Sequence, residues 1–269
     1  MAYEILVLDI DGTLTTSEKK ISNDTLHAIL ATQDRGHKVV LASGRPTAGI
    51  RAVAKQIHLN EYGGYILSFN GAKIINCATE QVIYQKTLPQ DIIPKLKDAA
   101  EEFGVGIITY EEDAIVVGTK IDEYMEIEAR INHLPLKQVD DFATYVTFDV
   151  NKCLMTGEPS HLAKVEELMK QRFGDIVNIY RSEPFFLEIV PPNVDKADSL
   201  SHLLDHLNLS KTQMISCGDG YNDLTMIQYA GMGVAMANAQ QVVKEAADYI
   251  TLSNDEDGVA HVIHEFILK

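Results

Sequence analysis

An apolar run near the start of the chain leads directly into two aspartates that are separated by one residue. The run ends at Leu8, Asp9 and Asp11 follow, and the whole segment, residues 6–16, is LVLDIDGTLTT. Such a run predicts a buried β-strand. Two carboxylates this close repel each other unless a cation lies between them or one of them is protonated. The segment therefore indicates a strand end at which one of these two conditions is met.

Apolar runs bounded by turn-forming residues predict strands at 4–10, 37–44 and 214–218. A helical pattern lies between the first two of these runs, beginning after Ser22, a typical N-cap, and ending at Gly36. Strand, helix and strand within about 40 residues form a βαβ unit, which predicts a parallel sheet with a right-handed crossover. The C-terminal part of the chain repeats this alternation.

The middle of the chain follows a different pattern, in which strand-like segments come in adjacent pairs between helix-like ones. This pattern is typical of an antiparallel sheet with helices on one face, an α+β arrangement. We therefore expect an α/β protein with two domains. Residues 1–85 and 185–269 would form a Rossmann-like parallel-sheet core, and residues 86–184 an inserted α+β domain.

The composition of the chain argues against several kinds of partner and cellular location. The formal net charge of −16 argues against nucleic acid, because binding to the phosphate backbone needs a basic face. No run approaches the roughly 18 apolar residues of a membrane span, and charge arrives too early, at Glu4 and Asp9, for a signal peptide. The three cysteines, Cys77, Cys153 and Cys217, are scattered and form no CxxC pair. A reducing cytoplasm is therefore the expected location.

Polar side chains follow three of the predicted parallel strands, at the edge where ligands bind in open parallel sheets. They belong to Asp9, Asp11, Ser43, Asp219, Asn222 and Asp223. Oxygen ligands without His or Cys favour a hard cation, and Mg²⁺ fits best because it needs few protein ligands besides water and phosphate. The sequence thus predicts a Mg²⁺ site that relieves the repulsion between the two N-terminal aspartates.

With a cation present, Asp9 and Asp11 could perform separate steps of phosphoryl transfer. Residues i and i+2 of an extended segment point the same way, so both carboxylates could flank one reacting atom. One could attack phosphorus to form an aspartyl-phosphate, and the other could protonate the leaving oxygen and then deprotonate a water. The phosphoryl group also needs donors and cations. Ser43 Oγ, nearby backbone N–H groups and a lysine would meet that need.

The chain resembles the haloacid dehalogenase-like phosphatases, whose four motifs match, in order, DIDGTL, LASGR, the lysine of PPNVDKADSL, and GDGYND. The inserted domain lies between the second motif and the lysine, as in the Cof-like subfamily with a type-II cap. Signatures of that subfamily also resemble SFNGAKI, FFLEIVPPNVDK and GVAMANA. The resemblance covers nearly the whole chain.

The resemblance implies how the chemistry is divided among the matching residues. Asp9 would be the nucleophile and Asp11 the general acid and base. Lys196 would pair with both Asp9 and the phosphate. The Mg²⁺ ligands would be Asp9, the backbone carbonyl of Asp11, and Asp219.

The resemblance also implies how the substrate is held. The phosphoryl oxygens would contact Ser43, Gly44, the backbone of Ile10, and Asn222. Arg45 would reach the substrate or form an ion pair with the cap, and Asp223 would support Lys196 or the metal-bound waters. One position departs from the family pattern: Ala197 follows the lysine where the family usually has glycine, which could alter the backbone at the helix start.

These expectations combine into one function. We expect a cytoplasmic, Mg²⁺-dependent phosphatase that hydrolyses small phosphorylated metabolites, such as sugar phosphates, through an aspartyl-phosphate, with the inserted domain as a cap that supplies specificity. A phosphotransferase or phosphomutase would share every core residue, and a non-catalytic phosphometabolite-binding protein is a further alternative. The sequence predicts no nucleic-acid or membrane partner, and it specifies neither the physiological substrate nor the oligomeric state.

Overall fold

The computed structural model describes residues 3–269 and contains fourteen strands among them. In chain order the strands are β1 (Ile5–Leu8), β2 (Lys38–Ala42), β3 (Tyr65–Ser68), β4 (Lys73–Asn76), β5 (Val82–Gln85), β6 (Gly106–Tyr110), β7 (Ile115–Val117), β8 (Leu136–Gln138), β9 (Cys153–Thr156), β10 (Asn178–Glu183), β11 (Phe186–Val190), β12 (Met214–Gly218), β13 (Met232–Ala235) and β14 (Tyr249–Ile250).

Eleven α-helices connect these strands within the described residues. In chain order the helices are α1 (Asn23–Asp34), α2 (Thr47–Gln56), α3 (Leu59–Tyr62), α4 (Ile93–Phe103), α5 (Glu123–Asn132), α6 (Phe142–Tyr145), α7 (Pro159–Phe173), α8 (Lys196–Leu207), α9 (Leu224–Tyr229), α10 (Gln241–Ala246) and α11 (Gly258–Phe266).

The chain divides into two compact units. The first comprises Met1–Tyr84 and Asp195–Lys269, and the second comprises Gln85–Val194. The second boundary therefore follows residue 194, whereas the sequence pattern placed it between residues 184 and 185. The reason is a strand pair: β10 and β11 lie on either side of the expected boundary, and they are hydrogen-bonded to each other in antiparallel register.

The first unit is built on an eight-stranded sheet with the order β14-β13-β12-β1-β2-β3-β4-β5. The pairs from β14 to β3 are parallel, and β4 pairs with β3 in antiparallel register. The predicted βαβ unit is confirmed, since β1 and β2 are adjacent and parallel with α1 between them in sequence. The apolar runs of the sequence do not indicate β3, β4 or β5.

The central strand β1 explains why its sequence is apolar at every position. All four of its residues are buried, because helices cover both faces of a parallel sheet. Leu6 and Leu8 belong to the core that includes residues of α1, α2 and α11. Ile5 and Val7 belong to the core that includes residues of α8 and α9. The residue after this strand is consequently fixed at the middle of the sheet's carboxyl edge.

The second unit contains a six-stranded sheet with the order β10-β11-β9-β6-β7-β8. Its strands pair in antiparallel register except for β7 and β8, which are parallel. Leu96 of α4 and Leu162 of α7 share a hydrophobic core with Ile107 and Met155 of the sheet. The predicted α+β architecture of the insertion is thus confirmed, with one parallel pair that the sequence did not indicate.

Within residues 3–269, no helix combines the length and the apolar composition that crossing a bilayer requires.

Candidate active site

Asp9 lies directly beyond the central strand of the first unit. Its backbone N–H donates to the Cys217 carbonyl at 3.1 Å, which extends the β1–β12 ladder by one bond. The side chain is buried, with 5% of the residue exposed. The chain then turns at Ile10, and Gly12 has a φ of +87°. The first strand therefore ends at Leu8, before the predicted end at residue 10, and the two carboxylates have different neighbours.

Lys196 is the first residue of α8, and its ammonium group reaches the sheet edge. Nζ donates to Asp9 Oδ1 at 2.8 Å, to Asp223 Oδ1 at 2.6 Å and to the Ala42 carbonyl at 2.7 Å. The side chain is fully buried. Burial alone would lower the pKa of Lys196, but the charges of Asp223 and Asp9 outweigh it and raise the pKa. The lysine therefore stays charged while it fixes the Asp9 carboxylate.

The start of α8 is regular even though alanine follows the lysine. The Asp195 carboxylate accepts hydrogen bonds from the backbone N–H groups of Ala197 at 2.8 Å and Asp198 at 3.0 Å. This is ordinary N-capping by an aspartate. Ala197 in the place of the usual glycine consequently leaves the position of Lys196 intact.

Asp223 holds the lysine and the neighbouring loop together. Its Oδ1 accepts from Lys196 Nζ, and its Oδ2 accepts from the backbone N–H groups of Asp219 at 3.0 Å and Gly220 at 2.9 Å. The residue is fully buried. Asp223 was expected to support either Lys196 or the metal-bound waters, and in the structure it contacts Lys196.

Three carboxylates approach one another at this edge. Asp9, Asp219 and Asp223 each offer an oxygen, and these oxygens lie within 4.8 Å of one another. Thr13 Oγ1 donates to Asp219 Oδ1 at 3.1 Å, which helps to orient that carboxylate. Because both oxygens of Asp223 already accept hydrogen bonds, Asp9 and Asp219 are the better placed ligands. Oxygen donors alone suit a hard divalent cation.

The electrostatics of the group favour a cation as well. Burial, followed by the charge of Asp223, raises the pKa of Asp9 even though Lys196 opposes the shift. Burial, followed by the charge of Asp223, also raises the pKa of Asp219, to about 6. The negative charge of the group therefore exceeds what a single lysine neutralises. A divalent cation would relieve this excess, so the residues fit the metal that the motifs imply.

The Asp11 carboxylate has separate partners. Arg45 donates to it twice, through Nε at 2.8 Å and Nη2 at 2.7 Å, and Lys19 Nζ donates at 2.9 Å. Burial would raise the pKa of Asp11, but the hydrogen bonds and charges of Arg45 and Lys19 outweigh it and lower the pKa. The structure thus places Arg45, which was expected at the substrate or the cap, on the predicted acid and base.

The residues expected to hold a phosphoryl group lie at the same edge. Ser43 follows β2 and is buried, and its Oγ accepts from the backbone N–H of Arg45 at 3.2 Å. Gly44 is half-buried beside it, whereas Asn222 is exposed. Asn222 Nδ2 donates to Oδ1 of Asn70 at 3.0 Å.

Sequence reasoning missed three residues that contact this site. Asn70 lies in SFNGAKI, a segment that resembles a family signature without indicating a role for this residue. Lys19 has a φ of +60°, and Thr13 contacts Asp219, which is 206 positions away. Thr13 belongs to the motif DIDGTL, but its residue type did not assign it a role, and a lysine in a polar loop carries no signal that distinguishes it from a surface residue.

Comparisons with known proteins agree with the motifs. The family described as haloacid dehalogenase-like hydrolase matches residues 6–263. A 5-amino-6-(5-phospho-D-ribitylamino)uracil phosphatase of Bacillus subtilis is 30% identical over 265 residues, which cover 97% of each chain.

Two solved structures agree with these sequence matches. A haloacid dehalogenase-like hydrolase from Bacteroides thetaiotaomicron has 46% identity and a TM-score of 0.95, and the match covers 98% of this chain and 99% of that one. The subclass IIB sugar phosphatase BT4131 has 28% identity and a TM-score of 0.79, with 98% of both chains covered. The chain therefore belongs to the haloacid dehalogenase-like hydrolases, and within them it is a phosphatase.

Proposed function

We propose that this chain is a Mg²⁺-dependent phosphatase that hydrolyses small phosphorylated metabolites of the sugar-phosphate type through an aspartyl-phosphate on Asp9. The observation that carries the proposal is the buried contact between Lys196 Nζ and Asp9 Oδ1 at 2.8 Å. It fixes one carboxylate at the end of the central strand. The ammonium group also offers positive charge to an approaching phosphoryl group.

In the first step, an oxygen of Asp9 attacks phosphorus and the bond between phosphorus and the ester oxygen breaks. The leaving oxygen takes a proton from Asp11. Lys196 orients the attacking carboxylate through the contact described above, and Asp223 in turn holds Lys196. The products of this step are the free alcohol and the phosphorylated Asp9.

In the second step, a water molecule gives a proton to the ionised Asp11 and attacks phosphorus. The bond between phosphorus and Asp9 then breaks, which releases inorganic phosphate, restores the Asp9 carboxylate and leaves Asp11 in the protonated form that the first step uses. Arg45 and Lys19 favour the ionised form of Asp11, and this is the form that the second step requires.

The phosphoryl oxygens carry negative charge throughout and need donors. We assign this role to Ser43 Oγ, the backbone N–H groups of Ile10 and Gly44, and Asn222 Nδ2. Mg²⁺, held by Asp9, Asp219 and the backbone carbonyl of Asp11, would supply positive charge to the same oxygens. Asp223 would support the ligands without taking part in the chemistry.

The substrate class is supported by the named activities of two similar proteins. One is a phosphatase of 5-amino-6-(5-phospho-D-ribitylamino)uracil, and the other is a sugar phosphatase. Both names describe small molecules that carry a phosphate. We assign the choice among such molecules to the inserted unit, and the cytoplasm remains the predicted location.

The test of the mechanism is the Asp9→Asn variant, assayed on an aryl phosphate. We expect turnover to fall by at least about a thousandfold, because the amide is a poor nucleophile. Acid quenching during turnover should trap a phosphorylated wild-type protein and no phosphorylated variant. Asp34→Asn is the matched control, since Asp34 is exposed and accepts a hydrogen bond from the Tyr62 hydroxyl. Unchanged turnover in Asp9→Asn would contradict the proposal.

The product distinguishes hydrolysis from the phosphotransferase and phosphomutase alternatives. A phosphatase releases one inorganic phosphate for each ester consumed, whereas a mutase returns an isomerised sugar phosphate. Assaying both products from a panel of sugar phosphates, compared by kcat/KM, separates the two reactions. A panel without turnover would favour a phosphometabolite-binding protein instead.

A further inference from the structure

A turn with unusual backbone geometry lies against the proposed phosphoryl site. Phe69, Asn70 and Gly71 follow β3 with φ values of +53°, +55° and +108°. The left-handed region is natural for glycine and tolerated by asparagine, but for a bulky residue such as phenylalanine it is a genuine outlier. Strain of this kind persists only where the surrounding structure determines it.

The backbone of this turn is attached to the loop after β2. Phe69 N–H donates to the Arg45 carbonyl at 3.0 Å, and Asn70 N–H donates to the Ser43 carbonyl at 3.0 Å. Two residues of the second family motif are therefore held by consecutive N–H groups of one turn. A change in the backbone at Asn70 would shift the loop that carries Ser43.

The other side of the turn contacts the start of α8. Ser199 Oγ donates to the Gly71 carbonyl at 2.8 Å. A Cβ atom on Gly71 would lie 2.2 Å from Ser199 Oγ and 2.5 Å from the Asp195 carbonyl oxygen. The turn thus lies between the loop after β2 and the helix that begins with Lys196, and it contacts both.

The side chain of Asn70 lies between two groups to which we assign phosphoryl contacts. A Cβ atom on Gly44 would lie 3.1 Å from both Oδ1 and Nδ2 of Asn70, so the amide covers that glycine. Asn70 Oδ1 also accepts from Asn222 Nδ2 at 3.0 Å. A carboxamide nitrogen carries two hydrogens, and this bond directs one of them to Asn70, which leaves the other for a phosphoryl oxygen.

We propose that Asn70 is a positioning residue of the phosphoryl site, whose Oδ1 fixes the Asn222 carboxamide so that Nδ2 donates to the substrate. The proposal rests on the proposed function, in which Asn222 contacts the phosphoryl group. Asn70 acts through Asn222, and its left-handed backbone is what brings its side chain over Gly44.

The test uses Asn70→Gly, because glycine adopts the left-handed backbone without penalty and removes only the side chain. The readouts are the KM for an aryl phosphate and the inhibition constant of inorganic phosphate. We expect both constants to rise about twofold to tenfold, the usual effect of losing one hydrogen bond. The kcat should change less, since the contact serves the bound phosphoryl group in the ground state and the transition state alike.

A double-mutant cycle separates positioning from a general structural role. In an Asn222→Ala background, Asn70→Gly should have no further effect on either constant, because the group through which it acts is gone. Additive effects would overturn the proposal, and so would a wild-type inhibition constant in Asn70→Gly. Asn70→Asp keeps an oxygen acceptor, so Asn222→Ala should still raise the KM in that background; loss of this response would also overturn it.

Asn208→Gly is the matched control. Asn208 caps α8 with a φ of +56° and is exposed, so the substitution again replaces a left-handed asparagine by glycine. Its inhibition constant for phosphate should equal that of the wild type. Failure of the proposed function would appear differently, because the Asp9→Asn variant would then turn over the aryl phosphate as fast as the wild type.

Discussion

The Arg45 guanidinium donates two hydrogen bonds to the Asp11 carboxylate, from Nε to Oδ2 at 2.8 Å and from Nη2 to Oδ1 at 2.7 Å. Paired bonds of this kind fix the plane of a carboxylate as well as its charge. Lys19 adds a third bond to Oδ1 at 2.9 Å. Asp11 is consequently held in one orientation and biased toward its ionised form.

Arg45→Gln should impair the steps that need Asp11. The carboxylate loses its fixed orientation, and we expect kcat/KM for an alkyl phosphate to fall about tenfold to a hundredfold. The loss should be smaller for a nitrophenyl phosphate, because that leaving group needs little protonation. Removal of the positive charge also raises the pKa of Asp11. In a plot of kcat/KM against pH for the alkyl phosphate, the decline on the alkaline side should therefore occur at a higher pH.

Arg51→Gln provides the control for Arg45→Gln. Arg51 forms a paired ion contact with Glu80, at 2.9 Å and 2.7 Å, so the same bond type is lost away from Asp11. Its kcat/KM should stay at the wild-type value for both substrates. Equal losses on alkyl and aryl phosphates in Arg45→Gln would indicate a substrate-binding role for Arg45 instead.

Protons should compete with Mg²⁺ for the three-carboxylate group. The raised pKa of Asp219, about 6 in the metal-free protein, means that this carboxyl is protonated below that pH, and the pKa of Asp9 is raised too. Because Mg²⁺ binds the ionised form, its affinity should fall as pH falls through about 6, by up to about tenfold per pH unit for each proton displaced. Calorimetric titration from pH 5 to pH 8 measures this.

The control for the Mg²⁺ titration is Asp34→Asn, which should reproduce the wild-type pH dependence. Titration in two buffers of different ionisation enthalpy counts the protons released. An affinity that stays constant from pH 5 to pH 7 would show that the ion does not bind these carboxylates. Removal of Mg²⁺ by EDTA should abolish turnover, and added Mg²⁺ should restore it.

Residue patterns alone could predict the part of the site that lies on strand ends, but they could not predict the part that depends on contacts between distant residues. The carboxyl ends of parallel strands meet at one edge, so the three apolar runs before Asp9, Ser43 and Asp219 were enough to place these residues near one another. The partners of Lys196 are 187 and 27 positions away, and no local pattern encodes such distances, so these contacts were expected only from the family resemblance.

The errors in the prediction have different physical causes. The boundary expected after residue 184 cut a strand pair, since β10 and β11 are hydrogen-bonded to each other and both belong to the second unit. The first strand was predicted over residues 4–10, yet it ends at Leu8. The left-handed turn at Phe69 was also missed, since phenylalanine has no preference for that conformation.

Lys196→Met should destabilise the protein. It leaves the buried carboxylates of Asp9 and Asp223 without the ammonium group that pairs with both. Breaking a buried pair in this way costs about 3–5 kcal/mol of the free energy of unfolding. Without the lysine the pKa of Asp9 rises further. The loss of unfolding free energy should therefore be larger at pH 8, where an uncompensated carboxylate must be buried. It should be smaller at pH 5, where a proton neutralises that carboxylate. Urea unfolding at both pH values measures the difference.

Lys20→Met is the comparison for the lysine variant. Lys20 forms an exposed contact with Glu18 at 2.9 Å, a type of pair that contributes little. Its unfolding curve should match the wild type at both pH values. If Lys196→Met lost stability equally at pH 5 and pH 8, lost packing rather than uncompensated charge would explain the effect.

Gly12→Ala and Gly36→Ala form a matched pair that tests whether Asp219 holds the metal. The two glycines have φ values of +87° and +88°, so each substitution should cost a similar backbone strain, about 1–2 kcal/mol. A Cβ atom at Gly12 would lie 2.4 Å from Asp219 Oδ2, whereas nothing lies within 4 Å of one at Gly36. Only Gly12→Ala must move the carboxylate, and we expect it to weaken Mg²⁺ binding about tenfold to a hundredfold. Because the strain is common to both variants, equal Mg²⁺ affinities would mean that Asp219 is not a ligand.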